Sequence, residues 1–370
     1  MKIIIIGGGP AGLYFANAMK IFNPNFDITV YEAKNESINS FGLGYTLQGL
    51  TKDLLANLDE DYFTSLFANN SPPRLSQAIV KTNRDCKTFN FSDGHCVSRF
   101  ELMRYLRNKA TSLGITIEEK KVLPSELREL QDTCDLLVGA DGVNSIVRKQ
   151  YAAKFVTHEE KVKIRFAWFY NDSPKPQKDV RFYVFKTSSG FIQLSSYPLT
   201  DTRQAVIIEM TEKCFQSSSF HQQSPADAMP YLNKIFTSNE DKIDLIPSNL
   251  PWFSFKMNTV KHLFHENVAL IGDAAFSFHY SAGVGLQTAF NMGYALTKCF
   301  QSCSDINTIL NHYSKMTPIA LRASIDKSLD DINWLENIDK HLLSTPEHQV
   351  IKHYLQKNKY SKTAPSSSQY

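Results

Sequence analysis

At 370 residues and 42.0 kDa the chain is long enough for roughly two to three domains. Lysine and arginine total 40 against 37 acids, leaving +3 with 42% hydrophobic residues, a globular balance far from the composition of disorder. So small a charge gives no support for a nucleic-acid groove, which would need a dense basic stripe, and no apolar run approaches the ~20 residues of a membrane span. In chain order, Lys2–Ile6 is a β-branched run of the kind buried in a parallel sheet. The turn Gly7-Gly8-Gly9-Pro10-Ala11-Gly12 follows, then a helix over Leu13–Ile21 stopped by Asn23-Pro24, then a strand over Asp27–Tyr31 that ends at Glu32. Segments Ala78–Val80 and Phe89–Phe91 predict an antiparallel pair, and Arg99–Leu113 a helix with Leu102, Leu106, Ala110 and Leu113 on one face. Ile115–Glu118 and Asp135–Gly139 predict further strands of the first sheet.

From about 160 to 257 the pattern predicts antiparallel β throughout, with aromatic and β-branched strands over Lys163–Tyr170, Val180–Lys186, Phe191–Ser196 and Ala205–Met210. Val268–Gly272 reads as one more buried strand, followed by a glycine-bearing turn and a helix to about Phe300. Ile325, Leu329, Ile332, Leu335, Ile338 and Leu342 mark a long amphipathic helix, and Thr345-Pro346 the start of another. The tail from Asn358 to Tyr370 has a disordered composition. This order implies two interleaved domains, each built from non-contiguous segments. Six cysteines form no CxxC and no zinc spacing; without a secretory leader they predict reduced thiols in a soluble cytoplasmic protein with no metal site.

The pattern Gly7-x-Gly9-x-x-Gly12 lies between a strand and a helix, the context in which it binds a dinucleotide. Its glycines permit a tight turn, with Pro10 and Ala11 inside it, and close approach of backbone to a pyrophosphate, and the N-terminus of the helix that follows favours phosphate. Glu32, twenty residues past Gly12, stands where a carboxylate accepts from an adenosine ribose, with Ala33 beside it. A carboxylate there disfavours a 2′-phosphate. The turn does not distinguish FAD from NAD.

Two later segments do. DLLVGADGVNSIVR over 135–148 and NVALIGDAAFSFHYSAGVGLQTAFNMGYAL over 267–296, taken with the first turn, resemble the three fingerprints of single-component FAD-dependent aromatic hydroxylases, the para-hydroxybenzoate hydroxylase type. The likeness runs in order along essentially the whole chain. It implies an α/β fold. A Rossmann-like FAD-binding domain (1–73, 99–155 and 259–318) would interleave with a smaller, mainly antiparallel β-sheet substrate domain (74–98 and 156–258), with C-terminal helices (319–357) and a tail (358–370). It further implies that Asp273 meets the ribityl hydroxyls and that Gly283, Val284, Gly285 and Leu286 pass beside the flavin ring. The helix beyond them would aim its positive end at the flavin N1–C2 edge, an effect of roughly 0.3–2 kcal/mol toward the reduced state. Arg99 matches a family arginine that reaches FAD, and Leu123 lies where backbone contacts adenine. Asp141, with Gly142, Ser145 and Arg148, matches the middle fingerprint, associated with cofactor pyrophosphate and nicotinamide-nucleotide handling. The alternative for that motif is a capped helix start with Asp141 and Arg148 as a structural pair.

Departures narrow the branch. Phe276, Tyr280, Gln287 and Met292 replace the usual His, Pro, Asn and acid. The stretches around His279–Gly285, Phe41–Tyr45 and Trp334–Asn337 resemble the branch that holds a violacein-pathway hydroxylase and the flavin domains of aromatic acyl-CoA hydroxylases. A chain with no appended domain is closer in architecture to the former.

The resemblance implies an NAD(P)H- and O2-dependent monooxygenase acting through a flavin C4a-hydroperoxide on an electron-rich aromatic small molecule, an indole- or tryptophan-derived metabolite first. NADH or NADPH would bind transiently, and the protein would be a monomer or homodimer. His279 is a candidate for proton transfer, with a structural histidine as the alternative. Tyr45, Trp168 and Tyr280 are candidates for the substrate pocket, with core packing as the alternative. Competing activities are an aromatic acyl-CoA hydroxylase and a reductase or dehydrogenase of the geranylgeranyl-reductase kind that inserts no oxygen.

Overall fold

The computed structural model describes residues 1–33, 43–47, 49–61, 63–64, 74–83, 85–172, 178–237, 243–279, 283–346 and 349–352. Tyr280, the residues 41–42 and the tail therefore lie outside the described residues. The chain divides into two compact units, the first made of Met1–Pro72, Val97–Val162 and Phe255–Asn333 and the second of Pro73–Cys96, Lys163–Ser254 and Trp334–Tyr370.

In the first unit Ile3, Ile4, Ile5 and Ile6 are all buried because their strand is central: Lys2–Ile6 pairs in parallel with Asp27–Glu32 on one side and Leu136–Gly139 on the other. Thr116–Glu119 extends the sheet beyond Asp27–Glu32, and Val268–Leu270 extends it beyond Leu136–Gly139. A short antiparallel strand, Phe264–His265, closes that edge. The helix Pro10–Phe22 starts within the glycine turn, earlier than its hydrophobic period suggests. It packs on the helix Gly285–Ser302, with Tyr14 stacked on Phe290 at 4.5 Å between ring centroids. Gly293 allows this approach, since a Cβ there would lie 3.0 Å from the Tyr14 ring. Asn17 donates to the Leu106 carbonyl at 2.9 Å and so fixes the helix Arg99–Ser112 against the same helix.

The second unit is built on a sheet that is antiparallel through Thr157–Asp172, Arg203–Thr211, Gly190–Pro198 and Asp179–Thr187. One junction is parallel, where Asp179–Thr187 meets Arg74–Thr82. The expectation of β structure throughout 160–257 needs correction: Glu212–Ser217 and Pro225–Thr237 are helices. Phe215, Phe220, Leu232 and Phe236 cover the sheet face that carries Ala167 and Phe169. The helix near the end starts earlier and stops sooner than expected, running over Ile306–Glu336 through Pro318, while Ile338 and Leu342 belong to a separate short helix, Ile338–Leu342. The segment expected as separate C-terminal helices is thus shared, 319–333 belonging to the first unit and the rest to the second. There Ile338, Leu342, Val350 and Ile351 pack on Val80, Val184 and Phe191, and Asp339 accepts from the Phe191 N–H at 2.9 Å. Among the described residues no helix is long and apolar enough to cross a membrane.

Candidate active site

The first glycine turn is held by its neighbours. Gly7 has φ +107, and a Cβ there would lie 2.4 Å from the Ala140 carbonyl oxygen. A Cβ on Gly12 would lie 2.0 Å from the Gly7 oxygen. Gly9 differs, for nothing lies within 4 Å of its Cβ position. It caps the helix Pro10–Phe22, which has Pro10 at its start, no side-chain cap and no acid in its first turn. Among the described residues, no side-chain cap and no acid of that first turn meets its free N–H groups. An anionic pyrophosphate fits this donor set. Glu32 accepts from the Gly8 N–H at 2.7 Å, which places its carboxylate beside the glycine turn. Ala33 follows it, exposed.

Leu123 sits after the strand Thr116–Glu119, and half of its surface is open. The expected backbone contact is constrained there, because its N–H donates to Glu126 Oε2 at 2.7 Å and its carbonyl accepts from the Glu126 N–H at 3.0 Å. What it offers freely is an apolar side chain.

Asp273 lies in the 3-10 turn Gly272–Ala274 that follows the strand Val268–Leu270. A Cβ on Gly272 would stand 2.7 Å from the Ala11 Cβ, so this turn closes directly onto the first turn of the Pro10–Phe22 helix. Asp273 is exposed to solvent, yet protein atoms crowd the surroundings of its carboxyl. That burial pushes its carboxyl up to about 6, against the pull of Arg99 and Arg148. Arg99 begins its helix behind the cap Ser98, which accepts from the Glu101 N–H at 3.1 Å. The Arg99 guanidinium donates to the Tyr45 hydroxyl and lies 5.8 Å from the centroid of that ring. Burial raises the Tyr45 hydroxyl, Arg99 lowers it and Asp273 raises it, so the three groups form one electrostatic cluster. Tyr45, a candidate for the substrate pocket, stands beside Arg99 because its strand Gly44–Leu47 runs to the head of the Arg99 helix, where the Leu43 carbonyl accepts from the Arg99 N–H at 3.1 Å.

The second glycine turn resembles Gly9 in being open. Gly283, at φ +65, and Gly285 have nothing within 4 Å of their Cβ positions. Val284 caps the helix Gly285–Ser302, which again has no side-chain cap and no acid in its first turn, while Leu286 points into the core. A flat ring carrying negative charge at one edge fits an open backbone of this kind at a positive helix end. Two of the departures have packing causes: Phe276 and Met292 are both buried in the first unit's core.

The middle motif is a helix cap. Asp141 accepts from the N–H groups of Ile146 and Val147 at 2.6 and 3.4 Å, and burial raises its carboxyl. Ser145 accepts from the Arg148 N–H at 2.9 Å. Arg148 is not the partner of Asp141; it pairs with Glu159 at 3.2 Å.

His279 is fully buried, its ring edge-on to Phe255 with centroids 5.4 Å apart, and its N–H donates to Ser328 Oγ at 3.3 Å. Trp168, in the second unit, lies on the sheet face opposite the helix-covered one. Its neighbours there are Phe166 and Phe253, at 5.3 and 5.6 Å between centroids. The structure thus groups Gly7 to Gly12, Glu32, Arg99, Asp273 and the 283–285 turn in the first unit, and places Trp168 in the second. Sequence reasoning missed the Tyr45–Arg99 contact, whose partners are 54 positions apart and belong to no common motif.

A family model described as an FAD binding domain matches residues 48–315. Salicyloyl-CoA 5-hydroxylase of a Streptomyces species is 24% identical over 93% of this chain and 67% of its own length. Protodeoxyviolaceinate monooxygenase of Chromobacterium violaceum is 25% identical over 94% and 92%. Among solved structures, 2-methyl-3-hydroxypyridine-5-carboxylic acid oxygenase superposes with a TM-score of 0.73 at 17% identity, over 94% of this chain and 95% of that one. With a cradle suited to a dinucleotide and a family match over most of its length, the chain belongs to the FAD-binding-domain family, as a flavoprotein monooxygenase of the aromatic hydroxylase kind.

Proposed function

We propose that the protein hydroxylates an electron-rich aromatic or heteroaromatic small molecule, an indole-derived metabolite first, with NADH or NADPH and dioxygen as co-substrates. The balanced reaction turns Ar–H, NAD(P)H, a proton and O2 into Ar–OH, NAD(P)+ and water. Bound FAD supplies the passage of two electrons from the nicotinamide to dioxygen and the delivery of one oxygen atom to the ring.

The chain's own residues bind and orient. The N–H groups above Gly9 take the pyrophosphate and Glu32 the adenosine ribose. Asp273 accepts from the ribityl hydroxyls, and Arg99, held by Tyr45, adds positive charge at the same place. Gly283 and Gly285 leave room for the flavin ring, and the N-terminus of the helix Gly285–Ser302 stabilises negative charge at its edge. Phe276 and Phe278, both buried, keep water from the turn behind Asp273. His279 holds a proton on its imidazole in a position sealed from bulk solvent. The observation that supports this reading is that Gly9, Gly283 and Gly285 stand at the starts of two helices without side-chain caps, with no described protein atom within 4 Å of their Cβ positions.

An aromatic ring carried as a coenzyme A thioester is the second reading, favoured by the Streptomyces relative named for such a substrate and matched over 93% of this chain. The test is a screen of indoles, phenols and aromatic acyl thioesters for stimulated NAD(P)H oxidation, with oxygen uptake and product mass measured together. One added oxygen atom per turnover supports hydroxylation; reduced or desaturated product without oxygen uptake refutes it. His279→Ala is expected to retain FAD yet release more hydrogen peroxide per NAD(P)H consumed. Tightly coupled turnover in that variant removes His279 from the chemistry.

A further inference from the structure

Arg148 is among the largest fully buried side chains of the protein, with no exposed surface. Its Nη1 donates to the Ala274 carbonyl at 2.8 Å, and its Nη2 to the Val143 carbonyl at 2.7 Å and to Glu159 Oε1 at 3.2 Å. Val143 accepts a second bond, from Asn258 Nδ2 at 2.6 Å. The Asn258 N–H in turn donates to Ser277 Oγ at 2.8 Å, and the Ser277 N–H returns a bond to the Asn258 carbonyl at 3.0 Å. The middle motif, the turn bearing Asp273 and the strand Phe253–Val260 are therefore tied at one buried point.

A buried guanidinium is costly unless its charge is met. Two of its three acceptors are neutral carbonyls, and the one carboxylate, Glu159, is shared with Lys256 at 2.7 Å. Lys256 first, and then Arg148, hold the Glu159 carboxyl below its ordinary range. The positive charge of Arg148 is thus incompletely neutralised where it bonds, one residue from Asp273.

We propose that Arg148 is a positioning residue for the flavin site: it fixes the Asp273 turn through the Ala274 carbonyl and supplies the Asp273 carboxylate with a positive charge from behind. It does not handle the nicotinamide nucleotide directly, because no part of it is open to a ligand. This rests on the reading that Asp273 receives the ribityl hydroxyls.

Among the described residues Asp273 faces Arg99 from its helix, Tyr45 from its strand and Arg148 from the middle motif. Burial lifts its flavin-free carboxyl to about 6, above the ordinary aspartate value. Protonation therefore favours the flavin-free fold as pH falls, and that contribution is lost as pH rises through about 6. Hydroxyl donors select the ionised form. FAD affinity accordingly rises with pH through about 6 and then levels, with a proton released on binding below the plateau.

The experiment strips flavin from the full chain and titrates FAD by fluorescence quenching between about pH 5 and 8, across the expected midpoint. Arg148→Met is expected to weaken binding at least about tenfold on the plateau and to raise the midpoint by about one unit. Arg148→Lys keeps the charge but not the fork of hydrogen bonds, so affinity falls while the midpoint stays. Glu159→Gln removes the opposing charge and lowers the midpoint. Asp273→Asn abolishes the pH dependence. If Asp273→Asn does so while Arg148→Met retains wild-type affinity and midpoint, the role of Arg148 is overturned and that of Asp273 stands. If Asp273→Asn keeps the wild-type profile, both are overturned. Should Arg148→Met fail to fold, unchanged affinity in Arg148→Lys together with an unmoved midpoint in Glu159→Gln overturns the proposal.

Discussion

The glycines of the first unit fall into two physical classes, although one motif reading covers them all. Gly7 and Gly12 are packed against backbone at 2.4 and 2.0 Å from their Cβ positions, so the fold itself requires them. Gly9, Gly283 and Gly285 have no described protein atom within 4 Å of their Cβ positions, although the φ of +65 at Gly283 itself favours glycine. The first class keeps strand and helix close. The second keeps a surface clear above two helix N-termini, as the proposed dinucleotide would require. A glycine's presence in a motif therefore does not say what it is for; the atoms opposite its missing side chain do.

Substitution by alanine breaks this comparison if it is wrong. Gly12→Ala is expected to have the largest effect, a loss of about 3 kcal/mol or more, because the obstacle is a carbonyl oxygen that cannot rotate away. Chemical denaturation or failure of soluble expression reads it. Gly9→Ala follows: the flavin-free protein should stay within about 1 kcal/mol of wild type, the cost of alanine at a helix cap, while FAD dissociation rises at least about tenfold. A Gly9→Ala protein that binds FAD normally would place the pyrophosphate elsewhere. Gly285→Ala is the smallest and sharpest case. Alanine suits the first helical position, so thermal stability without flavin should hold or rise slightly, while FAD affinity drops a few-fold. A stability loss without a change in FAD affinity would move Gly285 into the packed class.

The parts of the site legible in the sequence were those encoded locally. The run Ile3–Ile6, the glycine turn between strand and helix and Glu32 at a strand end all act on neighbours and stand where expected, although the helix begins at Pro10 rather than Leu13. Less legible were the helices Glu212–Ser217 and Pro225–Thr237, whose sequences lie in a region dense with sheet-forming aromatics. Their formation is decided by the sheet face they cover, as Phe215, Leu232 and Phe236 show. The partner of Arg148 was misread for a related reason. Asp141 is near in sequence, but its carboxylate is taken by the helix N–H groups of Ile146 and Val147, which leaves the guanidinium to reach Glu159 and, 126 positions away, Ala274.

Taken alone, the sequence determined the βαβ opening, the three motifs in order and the acids and glycines they carry, because backbone sterics and helix ends act over a few adjacent residues. Only the tertiary structure decided which glycines stand open, that Tyr45 holds Arg99, and that both Arg99 and Arg148 act on the Asp273 carboxyl. Such relations depend on distances across the packed core, and packing brings together residues that no spacing along the chain connects.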